Sequence, residues 1–243
     1  MQCLIIAAGL GSRLRSKAAS KPLARVAGRP LIEHIVERAR AGGATRFLIV
    51  TGYSPEPIEA FAAALAAREG LAIETVRNEE WERPNGLSVL AAAPKLERQF
   101  LLLMSDHLFE PEMLAGLIAA DGKAALTLAV DYRTDNPLID LDDATKVAAD
   151  ESGRIVRLGK TIEDYNCIDT GLFRAGPALI EAIQHAVAHG GAGSLSEGVQ
   201  VLADQGEARV HDIGMRWWLD VDDPRALALA EEALGGVKKL ISR

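Results

Sequence analysis

Residues 3–15 read CLIIAAGLGSRLR, a short apolar run that ends in a glycine-rich turn followed by arginines. A run of this length, stopped by Gly9 and Gly11, predicts a buried β-strand that leads directly into a loop. In an open α/β sheet such a loop lies at the carboxyl edge of the strands, where ligands bind. Glycines there let backbone N–H groups approach phosphate oxygens without an intervening Cβ. We therefore expect a phosphate-binding turn after the first strand.

Four further apolar runs repeat this pattern over the first 130 residues. Each is bounded by glycine, aspartate, asparagine or a charge, and each is apolar on both faces, as in parallel strands covered by helices on both sides. Helical stretches alternate with them, which predicts right-handed crossovers and one open, mostly parallel sheet flanked by helices. The predicted strands are Cys3–Ala7, Arg46–Thr51, Leu71–Arg77, Gln99–Met104 and Ala125–Val130, and the predicted helices are Pro30–Ala41, Pro55–Arg68, Leu87–Leu96 and Pro111–Ala120.

The pattern changes after residue 131. Residues 134–173 are rich in Asp, Gly and Asn, and we expect them to form a small antiparallel subregion laid over one edge of the sheet. A helix starting at Pro224 follows, and Asp222 or Asp223 can cap it. The predicted strands of this part are Lys146–Ala149, Arg154–Leu158, Cys167–Phe173, Ala208–Ile213 and Trp217–Val221, with helices at Pro177–Ala188 and Ser196–Gln205.

Composition excludes several classes of protein. The chain has 243 residues, 49% of them hydrophobic, and a net charge of -7 without overall basic character, so nucleic-acid binding is not expected. Two cysteines, Cys3 and Cys167, are too few for a disulfide scaffold, and a reducing cytosol is expected. No apolar run approaches the roughly 18 residues of a membrane span, and the start resembles a strand instead of a signal peptide.

The glycine-rich turn lies in a segment of one charge sign. Residues 1–32 contain six basic residues and no acid, which suits a triphosphate whose charge must be neutralised during transfer. The turn lacks the third glycine of the dinucleotide fingerprint, since Leu14 stands there, and the P-loop pattern is absent. A glycine-rich loop merely solvated by arginines is the alternative. The basic residues are Arg13, Arg15, Lys17, Lys21, Arg25 and Arg29.

Two strand-end acids are candidate metal ligands. Asp106 follows the apolar run 100–104, and residues 217–224 read WWLDVDDP, with Asp222 as the second candidate and Asp220 as its competitor. Strand-end carboxylates commonly hold Mg²⁺ together with phosphate oxygens. Helix capping is the alternative role for each of these acids.

These motifs together resemble the nucleotidyltransferases that activate sugar phosphates and related alcohol phosphates, which implies a Rossmann-like, GT-A-like fold. The residues involved are the turn, Lys21-Pro22-Leu23, Gly28-x-Pro30-Leu31, Asp106 and the Asp-Val-Asp-x-Pro ending. Looser motifs look most like CTP:inositol-1-phosphate cytidylyltransferase: Asn78-x-x-Trp81-x-x-x-Asn85-Gly86-x-Ser88, Ser105-Asp106-His107, Ala144-Thr145-Lys146-Val147, Gly159-Lys160 and Asp169-Thr170-Gly171. Many such enzymes are fused to a membrane-embedded transferase; this sequence contains none, and we expect it to act alone.

The resemblance implies a role for each matching position. Lys21, Arg13 and Asp106 would be catalytic, and Asp106 and Asp222 would bind Mg²⁺, the expected cofactor. The nucleotide would contact Leu4, Ala7, Ala8, Gly9, Gly11, Ser12, Arg13, Lys21, Asn85, Gly86, Ser88 and Asp106. The acceptor would contact His107, Lys146, Lys160 and Asp169. A single domain is expected, with residues 1–130 binding the nucleotide, 131–222 the acceptor, and 223–243 forming a C-terminal helix.

The expected reaction joins CMP from CTP to inositol 1-phosphate or a similar phosphorylated alcohol and releases pyrophosphate. Phosphocholine, an aminoalkylphosphonate or a sugar 1-phosphate, with CTP or UTP, are alternative substrates, and a non-catalytic nucleotide-binding module is the alternative of another class. The oligomeric state is left open between monomer and homodimer. Trp217 and Trp218 are expected to pack in the core, and the acids Asp131, Asp135, Asp140, Asp142 and Asp143 are expected to form a solvated loop.

Overall fold

The computed structural model describes residues 1–14, 20–120 and 124–241, without the side chains of Ser12 and of residues 236–241. Arg15 and Lys17 of the predicted cationic segment lie outside the described residues. The strands are β1 (Gln2–Ala7), β2 (Arg25–Val26), β3 (Arg29–Pro30), β4 (Arg46–Thr51), β5 (Ala72–Arg77), β6 (Phe100–Met104), β7 (His107–Phe109), β8 (Leu126–Asp131), β9 (Lys146–Ala149), β10 (Ile155–Gly159), β11 (Cys167–Ala175), β12 (Ala208–Asp212) and β13 (Trp218–Asp220). The helices are α1 (Leu31–Ala41), α2 (Pro55–Glu69), α3 (Gly86–Ala92), α4 (Pro111–Ala119), α5 (Pro177–Ala188), α6 (Leu195–Asp204) and α7 (Pro224–Ile241), with short 3₁₀ turns at Ser12–Leu14, Lys21–Leu23 and Ala93–Lys95.

Four parallel strands form one half of the main sheet, in the order β5-β4-β1-β6. Every residue of β1 is buried, because alternate side chains enter two separate apolar layers. Ile5 packs in the layer that contains α1, α2 and α4, whereas Leu4 packs in the layer that contains α3, α5 and α6. Helices therefore cover both faces, which confirms the predicted fold class.

The edge strand β5 differs from the prediction. Its residues are half-buried or exposed along the whole strand, so it is not apolar on both faces. The reason is its place in the sheet: β5 pairs only with β4 in the described topology, and the Glu74 and Arg77 side chains extend to the surface.

The predicted antiparallel subregion continues the main sheet and does not lie over its edge. The nine-residue strand β11 runs antiparallel to β6 through Leu172–Ala175 and to β9 through Cys167 and Ile168. It also pairs with β8, which in turn pairs in parallel with β12. Because nearly all of β11 is buried, its backbone groups need partners along its full length, and these strands supply them.

A small antiparallel sheet of β7 and β13 lies beside the carboxyl end of β6. His107 is opposite Asp220, and the Val221 N–H donates to the Asp106 carbonyl at 2.9 Å. This pairing brings the end of β13 to the end of β6 although the two are more than a hundred positions apart in sequence.

The helix-cap alternatives for the two metal candidates do not hold. Residue Glu110, and not Asp106, occupies the N-cap position of α4. At the start of α7, Asp223 Oδ1 accepts a hydrogen bond from the Ala226 N–H at 2.7 Å, which leaves Asp222 available for other partners.

Among the described residues, no helix is both long and apolar enough to cross a membrane.

Candidate active site

A cleft of about 320 Å³ opens beside Asp106, immediately after the carboxyl end of β6. Its walls include the start of β7, the end of β13 with the start of α7, the segment 137–145, Lys160, Asp169 and Gly171, and residues from the turn after β1 and from the starts of α3 and α6. Of the residues predicted from sequence, Arg13, Asn85, Asp106, His107, Lys160, Asp169, Asp220 and Asp222 line this cleft. Residues predicted to serve the nucleotide and residues predicted to serve the acceptor therefore meet in one cavity.

Lys21 joins the two predicted metal acids. Its Nζ donates to Asp106 Oδ2 at 2.6 Å and forms an ion pair with Asp222 Oδ1, and only 10% of its side chain is exposed. Gly11 makes this position possible, because it has a φ of +59° and a Cβ at residue 11 would collide with the Cβ of Lys21. The absence of a side chain at Gly11 thus lets Lys21 pack against the turn.

The electrostatics of this group favour charged forms. Burial alone would raise the pKa of Asp106, but the positive charge of Lys21, followed by that of His107, holds it far below its usual range. Burial opposes protonation of His107, yet the carboxylates of Asp220 and Asp106 raise its pKa to about 9. Asp106 is therefore an anion that two cations contact.

His107 is fixed on three sides. Its Nδ1 donates to Asp106 Oδ1 at 2.7 Å, and its ring stacks on Trp218 with centroids 5.9 Å apart. Gly171, at a φ of +75°, borders the ring so closely that a Cβ there would collide with it. Trp218 is buried, as predicted, and its Nε1 donates to Asp131 Oδ2 at 2.8 Å.

Asp220 carries an unpartnered oxygen. Its Oδ1 is buried and accepts no hydrogen bond from any described residue, while His107 Nδ1 lies 3.8 Å away. Asp106 and Asp220 each offer a carboxylate oxygen, and these atoms and a ring nitrogen of His107 lie within 4.8 Å of one another. A buried, unsatisfied carboxylate oxygen beside another carboxylate fits a hard divalent cation such as Mg²⁺. Asp222 is not one of these three residues; its carboxylate pairs with Lys21 and Arg13.

Asp143 binds two cations of the cleft, a role that was not predicted from the sequence. Arg13 Nη2 donates to Asp222 Oδ2 and to Asp143 Oδ2, each at 2.6 Å, and Lys160 forms an ion pair with Asp143 Oδ1. Hydrogen bonds from Lys160 and then Arg13 lower the pKa of Asp143. The expectation of a solvated loop is therefore wrong for Asp143.

It is also wrong for Asp131, whose side chain is fully buried. Arg133 donates to both of its oxygens, from Nε at 2.8 Å and from Nη2 at 2.9 Å. Although burial would raise the pKa of Asp131, the hydrogen bonds from Arg133 and Trp218 lower it. Asp131 thereby ties the segment after β8 to the tryptophan behind His107.

Of the two remaining acceptor candidates, Asp169 lines the cleft and Lys146 does not. Burial raises the pKa of Asp169 to about 6, and its Oδ1 accepts the Gly171 N–H at 2.7 Å. Lys146 does not line the cleft; its Nζ donates to the Lys160 carbonyl at 3.0 Å and lies 5.6 Å from the centre of the Tyr165 ring. Lys146 therefore supports Lys160 in this structure.

Comparison with known proteins identifies the family. Residues 3–196 match the family described as the MobA-like NTP transferase domain. The chain belongs to this family. It is 36% identical over 234 residues to the bifunctional IPC transferase and DIPP synthase of Rubrobacter xylanophilus. This alignment covers 96% of this chain and 51% of that protein. It is 33% identical over 242 residues to the CMP-5'-(3-aminopropyl)phosphonate synthase of Streptomyces rubellomurinus, with coverage of 92% and 37%.

A solved structure is also similar to this chain. The inositol-1-phosphate CTP transferase from T. maritima matches with a TM-score of 0.83 and 28% identity, covering 95% of this chain and 96% of that one. This confirms the resemblance stated from the sequence. The chain spans about half the length of the first curated relatives that it matches.

The residues of the first strand and of the turn after it differ in how closely they are packed. Ala7 and Ala8 are buried, whereas a Cβ at Gly9 would meet no atom within 4 Å, so Gly9 leaves open space for a ligand. Leu4 is fully buried in the apolar layer within β1, between Leu48 of β4 and Leu102 of β6. The expectation that Leu4 contacts the nucleotide is corrected accordingly. Of Ser12, the structure describes the backbone, at the start of a 3₁₀ turn.

Of the three predicted nucleotide contacts near α3, one lines the cleft and two do not. Asn85 lines the cleft, and its Oδ1 accepts the Leu195 N–H at 3.0 Å. Gly86 packs so closely on residues 193–194 that a Cβ would collide with the Gly193 carbonyl, and Ser88 is buried, with its hydroxyl accepting from Asn78 at 3.1 Å. Gly86 and Ser88 do not line the cleft; they hold the turn that presents Asn85.

Proposed function

We propose that this chain transfers CMP from CTP to inositol 1-phosphate, or a closely related phosphorylated alcohol, giving a CDP-alcohol and pyrophosphate. The observation that carries the proposal is the contact of Lys21 with both Asp106 and Asp222 beside a cleft at the carboxyl edge of the sheet. Similarity to an inositol-1-phosphate CTP transferase over 95% of the chain supports the choice of substrates.

The chemistry needs charge neutralisation more than proton transfer. An oxygen of the acceptor's phosphate forms a bond to the α-phosphorus of CTP, and the bond from that phosphorus to the bridging oxygen breaks, so pyrophosphate leaves with the electron pair. The attacking oxygen is already anionic at neutral pH, and no general base is required. Catalysis then depends on positioning and on cations that offset the charge of two converging anions. Lys21 would stabilise the α-phosphate and the leaving pyrophosphate, and Arg13 would bind the nucleotide's phosphates.

Asp106, with Asp222 or Asp220, would hold Mg²⁺. When bound, the ion would neutralise charge on the phosphates. The chain's own contribution is orientation: His107 fixes Asp106 through its 2.7 Å hydrogen bond, and β13 brings both alternative acids to the same place.

The acceptor would lie on the side of the cleft formed after residue 131. Lys160 would face its phosphate, supported by Lys146, and Asp169 would accept hydrogen bonds from its hydroxyls. His107 would contact the acceptor through the ring edge that faces the cleft. This assigns residues 1–130 mainly to the nucleotide and 131–222 mainly to the acceptor.

The test is a matrix of four nucleoside triphosphates against inositol 1-phosphate, phosphocholine, an aminoalkylphosphonate and a sugar 1-phosphate, with Mg²⁺, read by pyrophosphate release. We expect the highest kcat/KM with CTP and inositol 1-phosphate. If another acceptor gives faster turnover, that acceptor takes the place of inositol 1-phosphate in the proposal. The aminoalkylphosphonate deserves inclusion because a synthase of a CMP-aminopropylphosphonate is 33% identical to this chain.

A non-catalytic nucleotide-binding module would show no pyrophosphate release with any pair. The joint contacts of Lys21, Asp106 and Asp222 favour the enzyme, since a module without turnover needs neither clustered metal acids nor a cation at the leaving group.

A further inference from the structure

One carboxylate pairs with two of the positive charges in the cleft. Among the described residues that line it, the basic ones besides His107 are Arg13, Lys160 and Arg225. Arg13 binds Asp143 Oδ2 at 2.6 Å, and Lys160 binds Oδ1 of the same side chain. Each Asp143 oxygen is thus taken by a different cation, from two separate parts of the chain.

Six further acids line the cleft and would repel a phosphate. Other acids that line the cleft are Asp106, Asp140, Asp169, Asp220, Asp222 and Asp223. Arg13 and Lys160, which both bind Asp143, offer a phosphorylated substrate two adjacent positive partners among these acids. A phosphate monoester presents clustered anionic oxygens, as a carboxylate does, but carries about -1.5 to -2 charges at neutral pH. A phosphate can therefore accept hydrogen bonds from both Arg13 and Lys160 and attract their charges more strongly than the Asp143 carboxylate does.

Asp143 is placed where it can be displaced at little cost. The side chains of Arg13, Lys160 and Asp143 are 52%, 58% and 30% exposed, and ion pairs with this much solvent contact are weak. Asp143 also lies in the segment between β8 and β9, outside any helix or strand. A change of its side-chain rotamer would release Lys160 and leave Arg13 paired with Asp222 alone, without breaking the sheet.

We propose that the Asp143 carboxylate occupies the position that the acceptor's phosphate takes between Arg13 and Lys160, and that the acceptor displaces it on binding. The identity of the phosphate as the acceptor's rests on the proposed function, in which Arg13 also binds the nucleotide's phosphates and so would lie between the two substrates. Asp143 then sets the affinity of the cleft for phosphate groups, and weakly charged alcohols cannot open the ion pairs.

The test is calorimetric titration of the full chain with inorganic phosphate, without nucleotide. Asp143→Asn should bind phosphate about 3- to 10-fold more tightly than the wild type, the range expected from releasing two exposed ion pairs. The matched control is Asp142→Asn, which removes the same charge from the exposed neighbouring residue and should leave phosphate affinity unchanged. In Asp143→Asn combined with Lys160→Ala, the gain should disappear.

The opposite results overturn the proposal. Unchanged or weaker phosphate binding by a folded Asp143→Asn variant, verified by thermal unfolding, would show that Asp143 does not compete for the site. An equal gain in Asp142→Asn would show a general charge effect. Because the titration needs no turnover, it decides this point even if no nucleotide and acceptor pair releases pyrophosphate. If turnover is found, the KM for the acceptor should fall in Asp143→Asn.

Discussion

Replacing Lys21 by alanine perturbs the contact on which the proposed chemistry depends. Lys21 Nζ lies 2.6 Å from Asp106 Oδ2 and also binds Asp222, and its side chain is only 10% exposed. The substitution leaves two carboxylates near each other without the cation that joins them. It also removes the charge proposed to stabilise the α-phosphate and the leaving pyrophosphate. One change should therefore affect both stability and turnover.

The expected magnitudes follow from this geometry. Two unit charges about 3 Å apart attract by roughly 5–6 kcal/mol at an effective dielectric constant of about 20, and desolvation offsets most of that. The carboxylates of Asp106 and Asp222 keep some solvent contact, so we expect Lys21→Ala to lower the free energy of unfolding by about 1–3 kcal/mol, less than a fully buried pair would cost. Turnover should fall at least ~100-fold, equivalent to about 2.7 kcal/mol of barrier.

The assay is Mg²⁺-dependent pyrophosphate release with CTP and the best acceptor, together with urea unfolding. Lys95→Ala is the matched control, because Lys95 pairs with Glu74 on the surface and is half exposed. That control should change the free energy of unfolding by no more than about 0.5 kcal/mol and leave kcat unaltered. Near-normal turnover by folded Lys21→Ala would refute the assigned role.

Three other outcomes are expected. Asp220→Asn and Asp222→Asn test which acid binds the metal. The variant that lacks the metal-binding acid should need at least ~10-fold more Mg²⁺ for activity and for the Mg²⁺-induced rise in unfolding temperature. If both variants behave like the wild type, the proposed metal site is wrong. Asp131→Asn should lower the free energy of unfolding by about 2–4 kcal/mol in urea titrations, because Arg133 loses a buried ionic partner, whereas the exposed Asp135→Asn should not. Burial lowers the pKa of His34 from its ordinary 6.5, so the unfolded chain binds a proton more readily as pH falls below that value. Unfolding measured from pH 7.5 to 5 should therefore show an additional loss, of at most ~1.4 kcal/mol per pH unit, that is missing in His34→Gln.

The sequence sufficed for most elements because their signals are local. The helix predicted at Pro177–Ala188 has the same bounds in the structure, and β1 begins one residue earlier than predicted. Apolar periodicity and proline positions depend only on neighbouring residues. The order of strands is a long-range property, and for this reason the exposure of β5 and the insertion of β11 into the main sheet were not foreseen. The three-residue strand β7 is too short to show a period at all, whereas β13 lies within the strand predicted at Trp217–Val221.

The same distinction explains which acids of the site could be located from sequence. Asp106 stands just after a buried parallel strand, and a sheet brings such strand ends to a common edge, so its place follows from the fold. Asp131 offered a similar signal, since it ends the fully buried strand β8, and its burial could have been inferred from that position. Asp143 offered none, because its partners Arg13 and Lys160 are brought to it by loops after β1 and β10. Loop residues change their partners at lower cost than strand ends do. The residues hardest to predict from sequence are therefore those whose contacts a substrate can most readily replace, and Asp143 is the example in this cleft.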